Sequence, residues 1–303
     1  MQPGSVVLVG PTASGKSAVA MAVARAHPSC EIVACDAMQV YRGMDIGTAK
    51  PTRADRAEVP HHCLDLVDPT ERFTAREWQV AGTAAVSSIE SRSGTPIVVA
   101  GTGLYLASLV DGLEFPGEWP DIRAELEREP DTAALYARLV QSDPDAAAQA
   151  EPTNRRRIVR ALEVVVGSGR PFSASGPGTG AYPQTDATMI GIRWDRDALA
   201  ARISVRVREM VAGGLVDEVV RLRAAGALSR TASKALGYAE VIAHLDGACS
   251  LEDAIAATVL HTRQFAVRQE RWFRRDPRIR WVDVTDDPVR EVAPFVLRAL
   301  TQS

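Results

Sequence analysis

Gly10-Pro11-Thr12-Ala13-Ser14-Gly15-Lys16-Ser17 follows the apolar run Ser5 to Val9 and leads into an alanine- and valine-rich stretch from Ala18 to Ala26. The octet satisfies G-x-x-x-x-G-K-[ST] at every position, and its flanks supply the strand before and the helix after that such a loop requires. Glycines let successive backbone N–H groups converge on an oxyanion, and the helix N-terminus adds its positive end. Lys16 then reaches the outer phosphate, and the Ser17 hydroxyl can ligate Mg²⁺. A ligand carrying a di- or triphosphate is expected at residues 10–17.

Lysine usage sharpens this reading. The chain holds only three lysines, Lys16, Lys50 and Lys234, and uses arginine elsewhere. A lysine kept where arginine is the habit points to a need for its compact ammonium.

Two more apolar runs, Glu31 to Cys35 and Pro96 to Ala100, alternate with helical patterns at Ser17 to Ala26 and Thr74 to Arg92. That β-α-β-α-β order implies a parallel sheet covered on both faces. A fourth run, Ala187 to Trp194, comes too late for one crossover, and a fifth, Arg278 to Val284, lies near the end. The gap before the fourth holds helical patterns at Asp121 to Glu129, Thr132 to Leu139 and Asn154 to Val166, then a Gly/Ser/Pro-rich stretch from Gly167 to Pro183. The expected organisation is a core of residues 1–111 and 186–303, interrupted by a helical insertion at 112–185. Helices are further expected over Arg196 to Ala225, Ser229 to Leu245, Leu251 to Arg275 and Pro288 to Leu300.

In an open parallel sheet, ligands gather at the carboxyl ends of the strands. The second strand delivers Asp36-Ala37-Met38-Gln39-Val40-Tyr41, and the third delivers Gly101-Thr102-Gly103-Leu104-Tyr105. Asp36 thereby comes beside the phosphates, able to hold Mg²⁺ through water or to accept a proton, unless it merely caps a helix. The polar loop Arg42 to Pro51 is long enough to form one wall of the site.

The bulk numbers fit a soluble protein of 303 residues, 46% hydrophobic and 24% charged. No apolar run approaches the ~18 residues of a membrane span, and a cytoplasmic location is expected. Cys30, Cys35, Cys63 and Cys249 lack C-x-x-C spacing and read as reduced thiols; His61-His62-Cys63 has no second ligand pair for zinc. The net charge is −3, yet Arg155-Arg156-Arg157 with Arg160, and the stretch Arg263 to Arg280, are strongly basic. Charge segregated in this way is the footprint of a polyanion held at a defined site.

These parts are shared by kinases, NTPases and transferases with a diphosphate leaving group. The choice among them comes from a resemblance that runs nearly end to end. It rests on residues 10–17, the run Asp36 to Pro51, His61-His62 with Leu64-Asp65, Gly101 to Tyr105, Arg157 to Glu163, Gly237-Tyr238, and Thr262 to Gln269 leading into Trp272-Phe273. With these motifs the chain resembles the tRNA dimethylallyltransferases, also called tRNA isopentenyltransferases. The resemblance implies an α/β fold: a P-loop NTPase-like parallel sheet flanked by helices, with a helical insertion domain.

It further implies transfer of a dimethylallyl group from dimethylallyl diphosphate to N6 of adenosine 37, next to the anticodon. Lys16, Ser17 and Mg²⁺ would then stabilise the leaving diphosphate. Asp36 matches the family's general base, and Thr102 the hydroxyl that helps orient the reacting groups. Arg202 and Arg206, one helical turn apart, are placed to add guanidinium forks to the diphosphate. Asp36, Ala37, Met38 and Gln39 would meet the flipped adenine. Arg157, Ile158, Val159 and Arg160, with the segment on to Glu163, would grip the anticodon stem. Arg263, Arg268 and Arg271 would contact RNA phosphates, with aromatic surface from Phe265, Trp272 and Phe273. A monomer is the expected working form. The family often has Ser where Ala37 stands, and the zinc finger of its eukaryotic relatives has no counterpart here. The rival readings are a prenyltransferase acting on free adenine nucleotides, a P-loop small-molecule kinase, and an RNA-binding protein with a nucleotide switch.

Overall fold

The computed structural model describes residues 1–176 and 178–301; Pro177, in the glycine-rich stretch, and the last two residues lie outside the described residues. Contacts divide the chain into one compact unit of Met1–Val110 with Tyr182–Ser303 and a second of Asp111–Ala181.

The first unit is built on six strands: β1 (Val6–Val9), β2 (Cys30–Cys35), β3 (His61–His62), β4 (Thr95–Ala100), β5 (Thr188–Trp194) and β6 (Arg280–Val284). They pair in the order β3-β2-β4-β1-β5-β6, and every pairing is parallel. Side-chain alternation sorts these strands onto two cores. Val7, Val9, Val33, Cys35, Val98 and Ala100 face one, and Val6, Leu8, Ile32, Ile97 and Ile190 face the other. Because β1 is buried on both faces, its whole sequence is apolar.

The second of these cores is closed by α1 (Lys16–Ala26) and, at the chain's end, by a helix from Pro288 to Thr301. The helix α2 (Arg53–Glu58) is tied to α1 by the Arg25–Glu58 pair, while on the other face lie α3 (Ala75–Ser91) and α4 (Gly103–Val110), which enter the core through Trp78 and Tyr105. Those two rings stack at 5.0 Å, and Trp78 is fully buried. Burial of a side chain this large is worth roughly 3 kcal/mol or more relative to exposure.

The second unit consists of α5 (Pro120–Arg128), α6 (Thr132–Ser142), α7 (Pro144–Gln149) and α8 (Arg155–Ser168) around Leu135, Leu139, Ile158 and Leu162. Glu163, with its side chain fully buried, accepts from Trp119 N at 2.8 Å and from Arg123 at 2.6 Å, and pairs with Arg160 at 3.0 Å. Burial works to raise this carboxyl's pKa, but those N–H donors and guanidinium groups outweigh it and the net shift is downward.

The helices after β5 are α9 (Arg196–Ala212), α10 (Leu215–Ala225), α11 (Tyr238–Leu245) and α12 (Leu251–Phe273); the terminal helix is α13 (Pro288–Thr301). Two expectations are corrected here. The helix expected over Arg196 to Ala225 is two, broken at Gly213-Gly214, where Gly214 caps α10 at φ 99°. The helix expected from Ser229 begins only at Tyr238, after a single 3₁₀ turn at Ala232–Lys234. No sequence pattern marks the strand β3. Two residues carry too little periodicity to be read, and it forms only because Ile32 and Val33 offer a free edge. No described helix is long and apolar enough to cross a membrane.

Candidate active site

The carboxyl ends of β1, β2 and β4 open onto a cavity of about 660 Å³ within the first unit. Its floor is the loop after β1. Ala13 takes a left-handed φ of 62°, and Gly15 caps α1 at φ 95°. A side chain at Gly15 would be strained, and its Cβ would stand 2.4 Å from Pro288 Cγ. Carbonyls on the outside of the loop are held: Ala13 O accepts from Arg202 Nε and Ser14 O from Trp194 Nε1, each at 3.0 Å. The Arg202 guanidinium also lies 4.3 Å from the centre of the Trp194 ring. With those carbonyls held by the tryptophan and arginine, the helix-start N–H groups, which lack intrahelical partners, are left to the cavity.

Lys16 Nζ donates to Gly10 O at 2.8 Å and to Pro11 O at 2.7 Å. Burial and the nearby Arg206 guanidinium lower its pKa to about 7, against an opposing pull from Asp36. Arg206 is itself lowered, first by burial, and Asp36 counters that shift. Lys16, Arg206 and Asp36 thus form one electrostatic group on the cavity wall. Arg202 and Arg206 both line the cavity; Arg202 also braces the loop through Ala13 O, and Arg206 belongs to the charged group.

Asp36 sits just past β2. Its Oδ1 accepts from Met38 N at 2.8 Å and Gln39 N at 3.3 Å, an Asx turn that fixes the carboxylate. The next peptide is fixed too, since Ala37 N donates to Thr102 Oγ1 at 3.0 Å. Thr102 therefore bears on the cavity only through the Asp36 turn, and it is Gly101 that lines the cavity. Asp36 and Gln39 also line it, as do Thr48 and Ala49 of the Arg42 to Pro51 loop; Ala37 and Met38 pack instead toward the core.

Two residues without an assigned part in the sequence are central. Gln269 of α12 accepts from Thr12 N at 2.8 Å and donates to Gly101 O at 2.7 Å, bridging the loops after β1 and β4. Trp194 ends β5 and holds the phosphate loop. Neither contact has a local signal, although a glutamine at a buried position of an arginine-rich helix is a clue.

The Ser17 hydroxyl is open to the cavity, with the Asp36 carboxylate in the same wall. Among the described residues no group of three or more His, Cys, Asp or Glu side chains is placed to hold a metal ion. A hydroxyl and one carboxylate do not make a protein cage; they fit a hard ion such as Mg²⁺ that keeps waters and takes phosphate oxygens.

Corrections fall on the basic segments. Ile158 and Val159 bury their side chains in the helical core, and Glu163 is engaged there. Arg160 donates to Pro116 O at 2.8 Å and pairs with Glu163. Arg156 and Arg157 are the exposed arginines of α8. On α12, Arg263, Arg268 and Arg271 are exposed, but Phe273 is core and Trp272 packs over Gly103. Phe265 lines the cavity.

Comparison with known proteins points in one direction. A family model described as IPP transferase matches residues 39–276, and one described as isopentenyl transferase matches residues 4–64. The tRNA dimethylallyltransferase of Kineococcus radiotolerans is 48% identical, over 97% of this chain and 96% of that one. That of Mycolicibacterium smegmatis is 45% identical, over 98% and 99%. The crystal structure of the tRNA isopentenylpyrophosphate transferase from Bacillus halodurans is similar with a TM-score of 0.71 and 36% identity, over 99% of this chain and 98% of that one. A eukaryotic dimethylallyltransferase solved acting on tRNA gives a TM-score of 0.81 at 25% identity, over 97% of this chain and 77% of that one.

Proposed function

Since the chain belongs to the tRNA dimethylallyltransferase (IPP transferase) family and transfers a prenyl group to tRNA, we propose that its acceptor atom is N6 of adenosine 37, with dimethylallyl diphosphate as donor. The observation that carries this reading is the placing of Lys16, Arg206 and Asp36 on one cavity at the ends of β1 and β2.

The donor's diphosphate rests on the N–H groups at the start of α1, with Lys16 and Arg206 beside it. As N6 attacks the allylic carbon, the C–O bond breaks and its electron pair leaves on diphosphate. Lys16 and Arg206 meet that charge in a site already arranged for it. The N6 lone pair is delocalised into the purine ring, so attack requires loss of the amine proton, which Asp36 accepts. Its turn, held by Met38 N, Gln39 N and Thr102, keeps the carboxylate pointed. Mg²⁺ held through the Ser17 hydroxyl and the diphosphate would add Lewis-acid neutralisation of the leaving group. The adenine reaches this cavity only outside the base stack, with Gln39 at its edge. Arg156 and Arg157 of α8, and Arg263, Arg268 and Arg271 of α12, supply phosphate contacts.

The test is incubation with Mg²⁺, labelled dimethylallyl diphosphate and an anticodon stem-loop carrying adenosine 37, beside the guanosine-37 loop and free AMP. Label on the adenosine loop alone is expected. Label on AMP moves the acceptor to free nucleotides, and label on the guanosine loop overturns N6 of adenosine as the target.

A further inference from the structure

Away from the cavity, a buried carboxylate has no part in the steps above. Glu218 of α10 is 3% exposed, and the backbone of another segment converges on it. It accepts from Asp45 N at 3.1 Å, Ile46 N at 2.9 Å and Gly47 N at 3.4 Å, and from the Tyr238 hydroxyl at 2.5 Å. Three consecutive N–H groups aimed at one carboxylate satisfy the loop's buried donors and fix its backbone shape. Tyr238 completes the grip from its ring side: a Cβ on Gly47 would stand 2.4 Å from the ring, so only glycine lets the loop lie this close.

The loop so held continues to the cavity. Thr48 O and Ala49 O accept from Gln39 Nε2 at 3.0 and 3.3 Å. Gln39 N in turn is one of the two N–H groups bound by Asp36 Oδ1. An unbroken chain of hydrogen bonds and backbone thus leads from Glu218, through residues 45–49 and Gln39, to Asp36. Just past it, Lys50 Nζ donates to Tyr41 O, Asp45 Oδ1 and Asp65 Oδ1, each at 2.7 Å, so the loop cannot relax at that end.

We propose that Glu218 and Tyr238 are positioning residues for the transfer, setting the aim of Asp36 and Gln39 through the Asp45 to Ala49 loop. The proposal rests on the reading of Asp36 as the base. Neither residue lines the cavity. Both Glu218 oxygens accept backbone N–H groups, so Glu218→Gln turns one acceptor into a donor facing donors and lets the loop shift. Tyr238→Phe removes a single donor and keeps the ring, and it serves where Glu218→Gln folds poorly.

The experiment measures kcat, the KM for dimethylallyl diphosphate and Tm on the full chain for Glu218→Gln, Tyr238→Phe, Asp36→Asn and the doubles with Asp36→Asn. Misplacing a reacting group by about 1 Å costs on the order of 10²-fold, so kcat should fall ~10- to 100-fold in Glu218→Gln and less in Tyr238→Phe, with donor KM within about twofold. In the Asp36→Asn background the same changes should still lower Tm but reduce kcat no further, because residues acting through one group are not additive. Wild-type kcat in both single variants, or losses that multiply in the doubles, would overturn the positioning role alone. Wild-type kcat in Asp36→Asn would overturn the base and the positioning role together.

Discussion

Lys16 Nζ donates to the carbonyl oxygen of Gly10 across 2.8 Å, so the ammonium of the phosphate loop is tied to the loop's own first glycine. With Pro11 O as its second acceptor, both N–H groups of a neutral amine are used, so touching a phosphate as well calls for the third proton of the ammonium and restores a full charge.

Burial, with Arg206, holds the Lys16 pKa at about 7 instead of the ordinary 10.5. Above pH 7 donor binding should therefore take up a proton, and affinity should fall by up to about tenfold per pH unit. Folding stability should run the other way. The unfolded chain holds the extra proton between about 7 and 10.5, so this lysine's contribution rises with pH through that window. Calorimetry of diphosphate binding at pH 8 in buffers of different ionisation enthalpy reads the uptake; none at all would mean Lys16 is already charged.

Asp36→Ala should cut turnover by roughly 10²-fold or more while stem-loop affinity stays within a few-fold. Single-turnover rates beside equilibrium binding separate the two, and equal loss of both would make Asp36 a binding residue.

Gln269→Leu should leave Thr12 N and Gly101 O without their partner, costing about 1–3 kcal/mol of stability and loosening the loop that holds the diphosphate. Denaturation and donor KM should both respond. A wild-type KM with the stability loss intact would restrict Gln269 to folding.

Arg157 and Ile158 are neighbours in sequence but point to different tasks. Arg157→Ala should lower the salt dependence of tRNA binding by about one phosphate contact. Ile158→Ala should cost ~2–5 kcal/mol by opening a cavity in the helical core, with the salt slope unchanged. Titrations at several salt concentrations check the first, and thermal unfolding the second.

The legible parts of this protein are those whose causes lie within a few residues. An apolar run, glycines at fixed offsets and Lys16 describe the phosphate loop completely, because backbone sterics and helix-end N–H groups are local. Strand alternation places Asp36 beside it for the same reason. Burial in α8 is half legible: Ile158, Val159 and Leu162 mark an apolar face, but the arginine triplet at the helix start is equally compatible with a charged, solvated face. The break at Gly237, with φ 85°, was masked by a helical pattern on both sides.

By itself, then, the sequence determined the strand-loop-helix that takes a diphosphate, the carboxylate at the next strand end and the family these motifs share. Tertiary structure alone decided which side chains hold those parts still. Thr12 meets Gln269 across 257 positions and Asp45 meets Glu218 across 173. Such pairs leave no periodicity in the chain: their geometry exists only after the sheet has brought α10 and α12 to the same end of the strands, where buried polar groups must find one another or remain unpaired.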